Sequence, residues 1–263
     1  MDLGITDRVA LVCGSTSGLG LAIATKLASE GCHVALNGRD ITRLERARRS
    51  LGTATAVSVT GFAADVSDAA QALQLVERVQ RHFGALDILI CNAGGPPSTV
   101  FDETSAEQWS LALDLNLLSS IHLCRAAVPL MRERKWGRII CITSVAAKEP
   151  LPGLMLSTTA RAGVLGFTKA LADELAPHGI TVNSVCPGYM NTERVQDLVD
   201  ELARREHRQP DEILAGMVTR IPMRRMGDPE ELAATVAFMA SVPAGYLTGV
   251  ALQVDGGYVR SIL

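Results

Sequence analysis

The chain has 263 residues, 48% of them hydrophobic, which is enough for a substantial buried core. Its 25 basic and 28 acidic residues give a formal net charge of −3, so the charge excess that accompanies nucleic-acid binding is absent. No apolar run of the ~20 residues that span a bilayer stands out, and the amino-terminal residues lack the pattern of a signal peptide. We therefore expect a cytoplasmic protein with neither a nucleic-acid partner nor a membrane partner.

Short apolar segments alternate along the chain with longer segments of helical periodicity. The strands are predicted at Arg8–Cys13, Cys32–Asn37, Val57–Phe62, Leu86–Cys91, Gly137–Thr143, Ile180–Cys186 and Val250–Val254. Helices are predicted between them, among others at Leu19–Ser29, Ala69–His82 and Ala160–Ala176. Alternating strands and helices indicate a parallel sheet with helices on both faces. The expectation is an α/β, Rossmann-type, doubly wound sheet of about seven strands, forming one domain over residues 1–263.

Two helix starts carry capping residues. Thr104-x-x-Glu107 is predicted to open one helix, and Asp228-Pro229-Glu230-Glu231 to open the last one, with proline at the first helical position. The segment Asn191–Thr219 mixes charges of both signs without a clear apolar stripe. We predict that it is an inserted helical flap that covers the carboxyl edge of the sheet.

A glycine-rich turn follows the first predicted strand and opens the first helix. Its cofactor-binding candidates are Gly14, Ser15, Ser17, Gly18, Leu19 and Gly20. Glycines there let the backbone approach a pyrophosphate, which the free N–H groups at the helix start attract. The second strand ends in Asn37-Gly38-Arg39 without a carboxylate. An acid would bind the ribose hydroxyl of NAD and an arginine the phosphate of NADP, so Arg39 favours NADP, while Asp40 keeps NAD open.

From Arg8 to Gly257 the chain resembles the short-chain dehydrogenase/reductase family, and in particular 3-oxoacyl-[acyl carrier protein] reductases. Besides the glycine turn, the matching segments are Asp65-Val66, Asn92-Ala93-Gly94, Asn116, Pro187-Gly188, Thr192 and Val254-Asp255-Gly256-Gly257. The resemblance implies that the pair at 65–66 contacts adenine and that the Asn-Ala-Gly element flanks the cofactor. It also implies that Asn116 holds a proton-relay water, and that Thr192 contacts the nicotinamide carboxamide.

The catalytic half departs from that family. The family carries Tyr-x-x-x-Lys about thirteen residues after an active-site serine. Here the serine is Ser144, and the count leads to Ser157, with Arg161 four residues later. A phenol has a pKa of ~10 and can be tuned toward a working pH, whereas a serine hydroxyl is a far weaker acid on a shorter side chain. Arg161 keeps a positive charge for ribose anchoring, but it stays protonated and cannot relay a proton.

Two other residues are candidates for the missing proton donor. Tyr189 follows Pro187-Gly188 beside the expected nicotinamide position, although a packing residue at the flap hinge is the more ordinary interpretation. Lys148 lies four residues after Ser144 in the loop expected above the substrate, and it could equally be a solvated lysine. The histidines show no metal-ligand spacing, so no metal site is predicted. The six cysteines include no Cys-x-x-Cys pair and are expected to be reduced and buried.

Two functions remain open at this point. One is an NAD(P)-dependent oxidoreductase that interconverts a carbonyl and an alcohol on a small molecule, with an atypical active site. The alternative is a dinucleotide-binding sensor or structural protein without redox turnover. The wide apolar faces of Thr104–Arg132 and Gly153–Ala176 exceed what one sheet surface covers, so a homodimer or homotetramer is expected.

Overall fold

A computed structural model describes residues 1–262 and shows a seven-stranded parallel sheet in the order β3-β2-β1-β4-β5-β6-β7. The strands are β1 Val9–Val12, β2 His33–Gly38, β3 Val59–Ala63, β4 Ile88–Cys91, β5 Gly137–Ile142, β6 Ile180–Pro187 and β7 Ala251–Val254. The predicted doubly wound fold is confirmed, and each predicted strand exists with its ends shifted by a few residues.

Nine α-helices connect these strands within the described residues. They are α1 Gly18–Ser29, α2 Ile41–Ala54, α3 Ala69–Phe83, α4 Ala106–Leu113, α5 Ser119–Arg134, α6 Met155–Leu175, α7 Glu193–Glu206, α8 Pro210–Arg220 and α9 Pro229–Met239. A one-turn π-helix, Asp114–Leu118, joins α4 to α5.

The core lies on both faces of the sheet because successive strand residues point to opposite sides. In β4, Leu89 and Cys91 join the cluster that contains residues of α3, α5 and α6, whereas Ile88 and Ile90 join the cluster with residues of α1, α2 and α9. All four are buried, so the strand reads as a continuous apolar run, as expected for a sheet covered on both sides. The six cysteines are buried and free, as predicted.

The helical run from Ala106 to Arg134 corrects one expectation, because by length and composition it is apolar enough to cross a bilayer. Core helices of globular proteins pass the same test. The π-turn in the middle of this run makes close approaches to α6, and α5 packs against α3 and β5. Its buried residues, among them Leu123 and Met131, belong to the sheet-facing core.

Of the two predicted helix starts, one differs from its prediction and the other agrees with it. The capping box at α4 is formed by Ser105 and Gln108 rather than by Thr104 and Glu107, because the Thr104 hydroxyl donates instead to the carbonyl of Val100. The prediction at α9 is confirmed, since Asp228 and Glu231 form a capping box with proline in the first turn.

The segment predicted as a flap contains α7 and α8, which pack against each other. Val199 and Ala203 of α7 meet Ile213 and Met217 of α8 in a small apolar cluster separate from the sheet core. The apolar stripe that was not recognised in the sequence is therefore present but short. It is formed by one face of each helix, and the remaining faces are charged.

Candidate active site

A cavity of about 390 Å³ opens at the carboxyl edge of the sheet, between the ends of β1 and β4. Strand order reverses at this point, because β1 is followed in the chain by β2 on one side and later by β4 on the other. Crevices at such switch points are where ligands bind in doubly wound sheets. Many of the predicted site residues line this cavity: Gly14, Ser17, Gly18, Leu19, Gly20, Asn92, Ala93, Gly94, Ser144, Ser157, Arg161, Pro187, Gly188 and Thr192.

The glycine-rich turn forms one end of the cavity and has no room for side chains. A Cβ on Gly20 would lie 2.2 Å from the Gly14 carbonyl oxygen, and Gly14 and Gly18 have positive φ angles of 56° and 54°. Ser17 is the N-cap of α1, yet its side chain caps no N–H group. The first N–H groups of α1 therefore remain available to an anion, which also interacts favourably with the helix dipole.

Ser15 has a structural position instead of lining the cavity. It is completely buried, and its hydroxyl donates to the Val12 carbonyl at 2.7 Å and accepts from the Asn37 N–H at 3.0 Å. Asn37 in turn donates its side-chain amide to the carbonyls of Phe62 and Ala64. The place where an NAD-selective carboxylate was sought is thus taken by an amide that ties β2 to β3.

Arg39 and Asp65 lie close together outside the cavity. The Arg39 Nη1 atom is 3.5 Å from Oδ2 of Asp65, and the arginine side chain is 72% exposed. Asp65 also accepts hydrogen bonds from the N–H and hydroxyl of Ser67, and Val66 beside it is buried. None of these three predicted residues lines the cavity, and Arg39 directly follows the end of β2.

Two asparagines fix the loop that follows β4. Asn92 donates to the carbonyls of Cys13 and Gly14, which ties the end of β4 to the glycine turn. Asn116, in the π-turn, donates to the Gly94 carbonyl at 2.7 Å, while its buried Oδ1 atom has no hydrogen-bond partner among the described residues. Because π-turns occur frequently at functional sites and buried acceptors are normally satisfied, this atom fits a bound water.

Ser157 and Arg161 lie one turn apart at the start of α6 and are bonded to each other. The Arg161 Nε atom donates to the Ser157 hydroxyl at 3.1 Å. Its Nη1 atom donates to the carbonyls of Thr143 at 2.6 Å and Ile142 at 3.2 Å, so the guanidinium clasps the end of β5. Arg161 is only 9% exposed, and burial, together with the nearby charge of Arg194, lowers its pKa to about 10. It therefore remains charged at neutral pH.

The Ser144 hydroxyl lies on the same wall of the cavity as this pair. It accepts a hydrogen bond from the Ala146 N–H at 3.1 Å as the N-cap of a short 3₁₀ turn. A hydroxyl that accepts in this way keeps its own proton to donate. Ser144 and Ser157 can thus both present O–H groups to an oxygen atom bound in the cavity.

Neither candidate surrogate acid lines the cavity. Tyr189 packs edge to face against Tyr258, with ring centroids 5.5 Å apart, and burial raises its pKa to about 12. Lys148 ends the 3₁₀ turn after Ser144 and is half-buried. Tyr189 and Lys148 therefore do not contribute to the cavity that Ser144, Ser157 and Arg161 line.

The cavity residues that sequence reasoning missed include charged residues at the start of α7 and Arg43 on α2. Arg194 lies in the first turn of α7 and donates to the Pro96 carbonyl at 3.0 Å. Glu193 forms an ion pair with Arg43 of α2 at 3.1 Å, bridging the flap to the cofactor half. Arg194 follows Thr192 by two residues, so its closeness to the Pro187–Thr192 segment is the signal that could have found it.

A glycine turn with uncapped N–H groups at the switch point of a doubly wound sheet defines a dinucleotide-binding protein. A family model described as Enoyl-(Acyl carrier protein) reductase matches residues 14–259. Nodulation protein G of Azospirillum brasilense is 38% identical over 96% of this chain and 98% of its own. The 3-oxoacyl-[acyl-carrier-protein] reductase FabG of Haemophilus influenzae is 37% identical, covering 97% of this chain and 99% of its own.

The solved structures agree with this grouping. L-sorbose reductase from Gluconobacter frateurii, complexed with NADPH and L-sorbose, superposes with a TM-score of 0.95 at 35% identity, covering 100% of both chains. YwfH, an NADPH dependent reductase involved in bacilysin biosynthesis, gives a TM-score of 0.93 at 31% identity over 98% of this chain and 100% of its own. The chain belongs to the short-chain dehydrogenase/reductase family and is an oxidoreductase of that family.

Proposed function

We propose that the protein is an NADPH-dependent reductase of a small carbonyl compound, similar to 3-oxoacyl reductases, with a degenerate catalytic pair. The observation that carries the proposal is the shared cavity: the hydroxyls of Ser144 and Ser157 and the cation of Arg161 line the same space as the uncapped start of α1. A carbonyl bound there would meet hydrogen-bond donors and positive charge on one side and the cofactor on the other.

The residues present fit a nicotinamide dinucleotide. A side chain at Gly20 would strike the turn, the first turn of α1 offers free N–H groups, and Asn92 holds the turn against β4. The lack of a carboxylate at the end of β2 and the exposed Arg39 favour NADPH over NADH, and related reductases were solved with NADPH. The bound cofactor would supply the hydride.

The side chains of this protein would then bind the carbonyl oxygen of the substrate and stabilise its charge. Ser144 is placed to donate a hydrogen bond to the carbonyl oxygen, and Arg161 to stabilise the negative charge that develops on it, since charge-assisted bonds are the stronger ones. Ser157 is held by Arg161 at 3.1 Å and is too short and too weak an acid to replace a phenol. The proton would come from water, for which the unpartnered Oδ1 atom of Asn116 offers an acceptor site.

The missing general acid sets the expected rate. General acid catalysis contributes about 10²–10⁴-fold, which corresponds to roughly 3–5 kcal/mol of barrier. We therefore expect turnover that is slow compared with relatives that have the full pair, but measurable.

The test is NADPH oxidation, followed by its near-ultraviolet absorbance, with a panel of ketones, keto acids and 3-oxoacyl thioesters. Ser144→Ala should lower the rate with any active substrate, whereas Ser50→Ala, an exposed serine of α2, should not. Tight NADPH binding with no oxidation across the panel would refute the reductase. It would favour the alternative, a dinucleotide-binding sensor. The observation that supports this alternative is the hydrogen bond between Arg161 and Ser157, which engages the two side chains with each other.

We further propose that the chain is a single cytoplasmic domain that assembles as a homodimer or homotetramer. Large apolar side chains stand exposed on the first of the two helical faces named above and along the last strand, for example Leu111 on α4 and Leu252 on β7. Such patches mark interaction surfaces more often than they remain in contact with water. Light scattering on a purified sample measures the mass of the assembly, and a monomer would refute the proposal.

A further inference from the structure

Two guanidinium groups from different walls face the same cavity. Arg161 extends from α6 at the floor, and Arg194 extends from the first turn of α7 in the flap. Both donate only to neutral oxygens among the described residues. Arg161 bonds to Ser157 and to the carbonyls of residues 142 and 143, and Arg194 bonds to the Pro96 carbonyl. Neither cation has a carboxylate partner in the described part of the chain.

The remaining charges around the cavity do not neutralise this pair. Glu193 is engaged with Arg43, and these two charges cancel each other. Asp197 lies one turn after Arg194 on α7 and also lines the cavity, but it is exposed and forms no hydrogen bond or ion pair with a described residue. The lining therefore carries one positive charge more than its carboxylates balance.

The buried cation also has room for a further hydrogen bond. The Nε and Nη1 atoms of Arg161 are occupied, whereas its Nη2 atom makes no hydrogen bond to any described residue. Burial, and to a smaller extent repulsion from the charge of Arg194, lowers the pKa of Arg161. An anion between them would relieve that repulsion and the cost of burying the charge.

The position of Arg194 separates it from the glycine turn. Its Nη2 atom contacts Pro96, and a Cβ on Gly95 would lie 3.4 Å from it. The glycine turn is contacted by a different residue of the same segment, since Thr192 lies 3.8 Å from a Cβ built on Gly18. Arg194 thus lies against the loop after β4, whereas Thr192 lies against the glycine turn.

We propose that Arg194 binds a carboxylate on the substrate while the nearby charge of Arg161 adds to the attraction, so that the enzyme is specific for carbonyl compounds that carry an acid group. This proposal rests on the proposed reductase for the carbonyl group of the substrate, whereas the carboxylate site needs only bound NADPH. A planar guanidinium suits a carboxylate because two parallel hydrogen bonds can form. Asp197 on the same face of α7 would oppose the anion and set an upper limit on its affinity.

The test measures equilibrium binding, so it does not depend on turnover. The protein is saturated with NADPH and titrated by calorimetry with straight-chain carboxylates from acetate to octanoate and with the corresponding neutral amides. The wild type should bind at least one carboxylate more tightly than its amide. Arg194→Met should weaken that carboxylate by about 10- to 100-fold, the range for a charge-assisted bond, and leave the amide unchanged.

Two variants of α7 serve as controls. Asp197→Asn removes an opposing charge from the cavity and should tighten carboxylate binding. Arg204→Met makes the same charge change as Arg194→Met at an exposed position outside the cavity, and it should have no effect. Each variant is also titrated with NADPH alone.

Three results would overturn the proposal. One is that no carboxylate in the series binds more tightly than its amide. Another is that Arg194→Met weakens carboxylate and amide equally. The third is that Arg194→Met weakens NADPH itself, which would make Arg194 a cofactor residue. If carboxylates bind through Arg194 while no carbonyl compound is reduced, the reductase fails and the anion site stands.

Discussion

Restoring the family's catalytic pair offers the sharpest test of how this site works. The double substitution Ser157→Tyr, Arg161→Lys places a phenol and an ammonium one helical turn apart at the start of α6. Ser157 lines a cavity of about 390 Å³, which leaves space for an aromatic ring. If the rest of the site is intact, the variant should reduce the wild type's substrates about 10²- to 10⁴-fold faster, the range for a general acid.

The same substitution should lower the free energy of unfolding, and the size of this loss follows from the hydrogen bonds of Arg161. Its Nη1 atom donates to the carbonyls of both Ile142 and Thr143, and the shorter lysine side chain places its ammonium further from them, so we expect one of them to lose its donor. One buried carbonyl left unpaired costs about 1–3 kcal/mol. For a domain of this size that corresponds to a fall in Tm of roughly 2–4 °C per kcal/mol.

The assay combines NADPH oxidation with the carbonyl panel, a thermal melt and an NADPH titration. The control is Ser157→Phe, Arg161→Lys, which has the same ring without the hydroxyl and should gain nothing. A Tyr–Lys variant that melts cooperatively, binds NADPH like the wild type and still shows no increase in rate would refute the view that only the proton donor is missing.

The remaining predictions concern the cofactor-binding residues and Tyr189, the candidate proton donor that does not line the cavity. Gly20→Ala should abolish NADPH binding in a fluorescence titration, because the added Cβ would lie 2.2 Å from a backbone oxygen of the turn, whereas Gly52→Ala on α2, with nothing within 4 Å, should not. Arg39→Met should raise KM for NADPH by about 10- to 100-fold and leave KM for NADH unchanged; equal changes for both would exclude a phosphate contact. Tyr189→Phe should leave kcat unchanged, since Tyr189 is packed on Tyr258 and its pKa is raised to about 12 by burial; a large loss would reinstate it as the acid.

The sheet could be predicted because its signals are local. Each central strand is an apolar run bounded by turn residues, and alternation with helices leaves a parallel sheet as the natural arrangement. The predicted helix boundaries were less accurate where neighbouring side chains can hydrogen-bond to the same backbone groups. Thr104 has the right residue type for an N-cap, but its hydroxyl is used by the preceding turn, so Ser105 caps α4 instead. Likewise α6 begins at Met155, five residues before the predicted start.

The site could be predicted only as far as sequence order fixes position. The glycine turn and Ser144 lie at the ends of β1 and β5, and parallel strands bring such ends to one edge. Tyr189 follows β6 and was expected at the same edge, yet its ring turns toward Tyr258. Arg194 was missed because its partner, the Pro96 carbonyl, is 98 residues away in the chain. The direction of a side chain after a strand end depends on tertiary contacts that no local pattern encodes.

The charge of Arg161 is the feature of the site that most needs a ligand to account for it. A buried cation without a carboxylate partner costs several kcal/mol, and here only one hydroxyl and two carbonyls offset that cost. If the residue at this position only filled space, an apolar side chain would make the folded protein more stable. A guanidinium cannot give up its proton at neutral pH, but for the same reason it can hold a negative charge close without neutralising it. We therefore expect that a site with arginine and serine in place of the family's lysine and tyrosine stabilises an anion instead of transferring a proton, and that water supplies the proton.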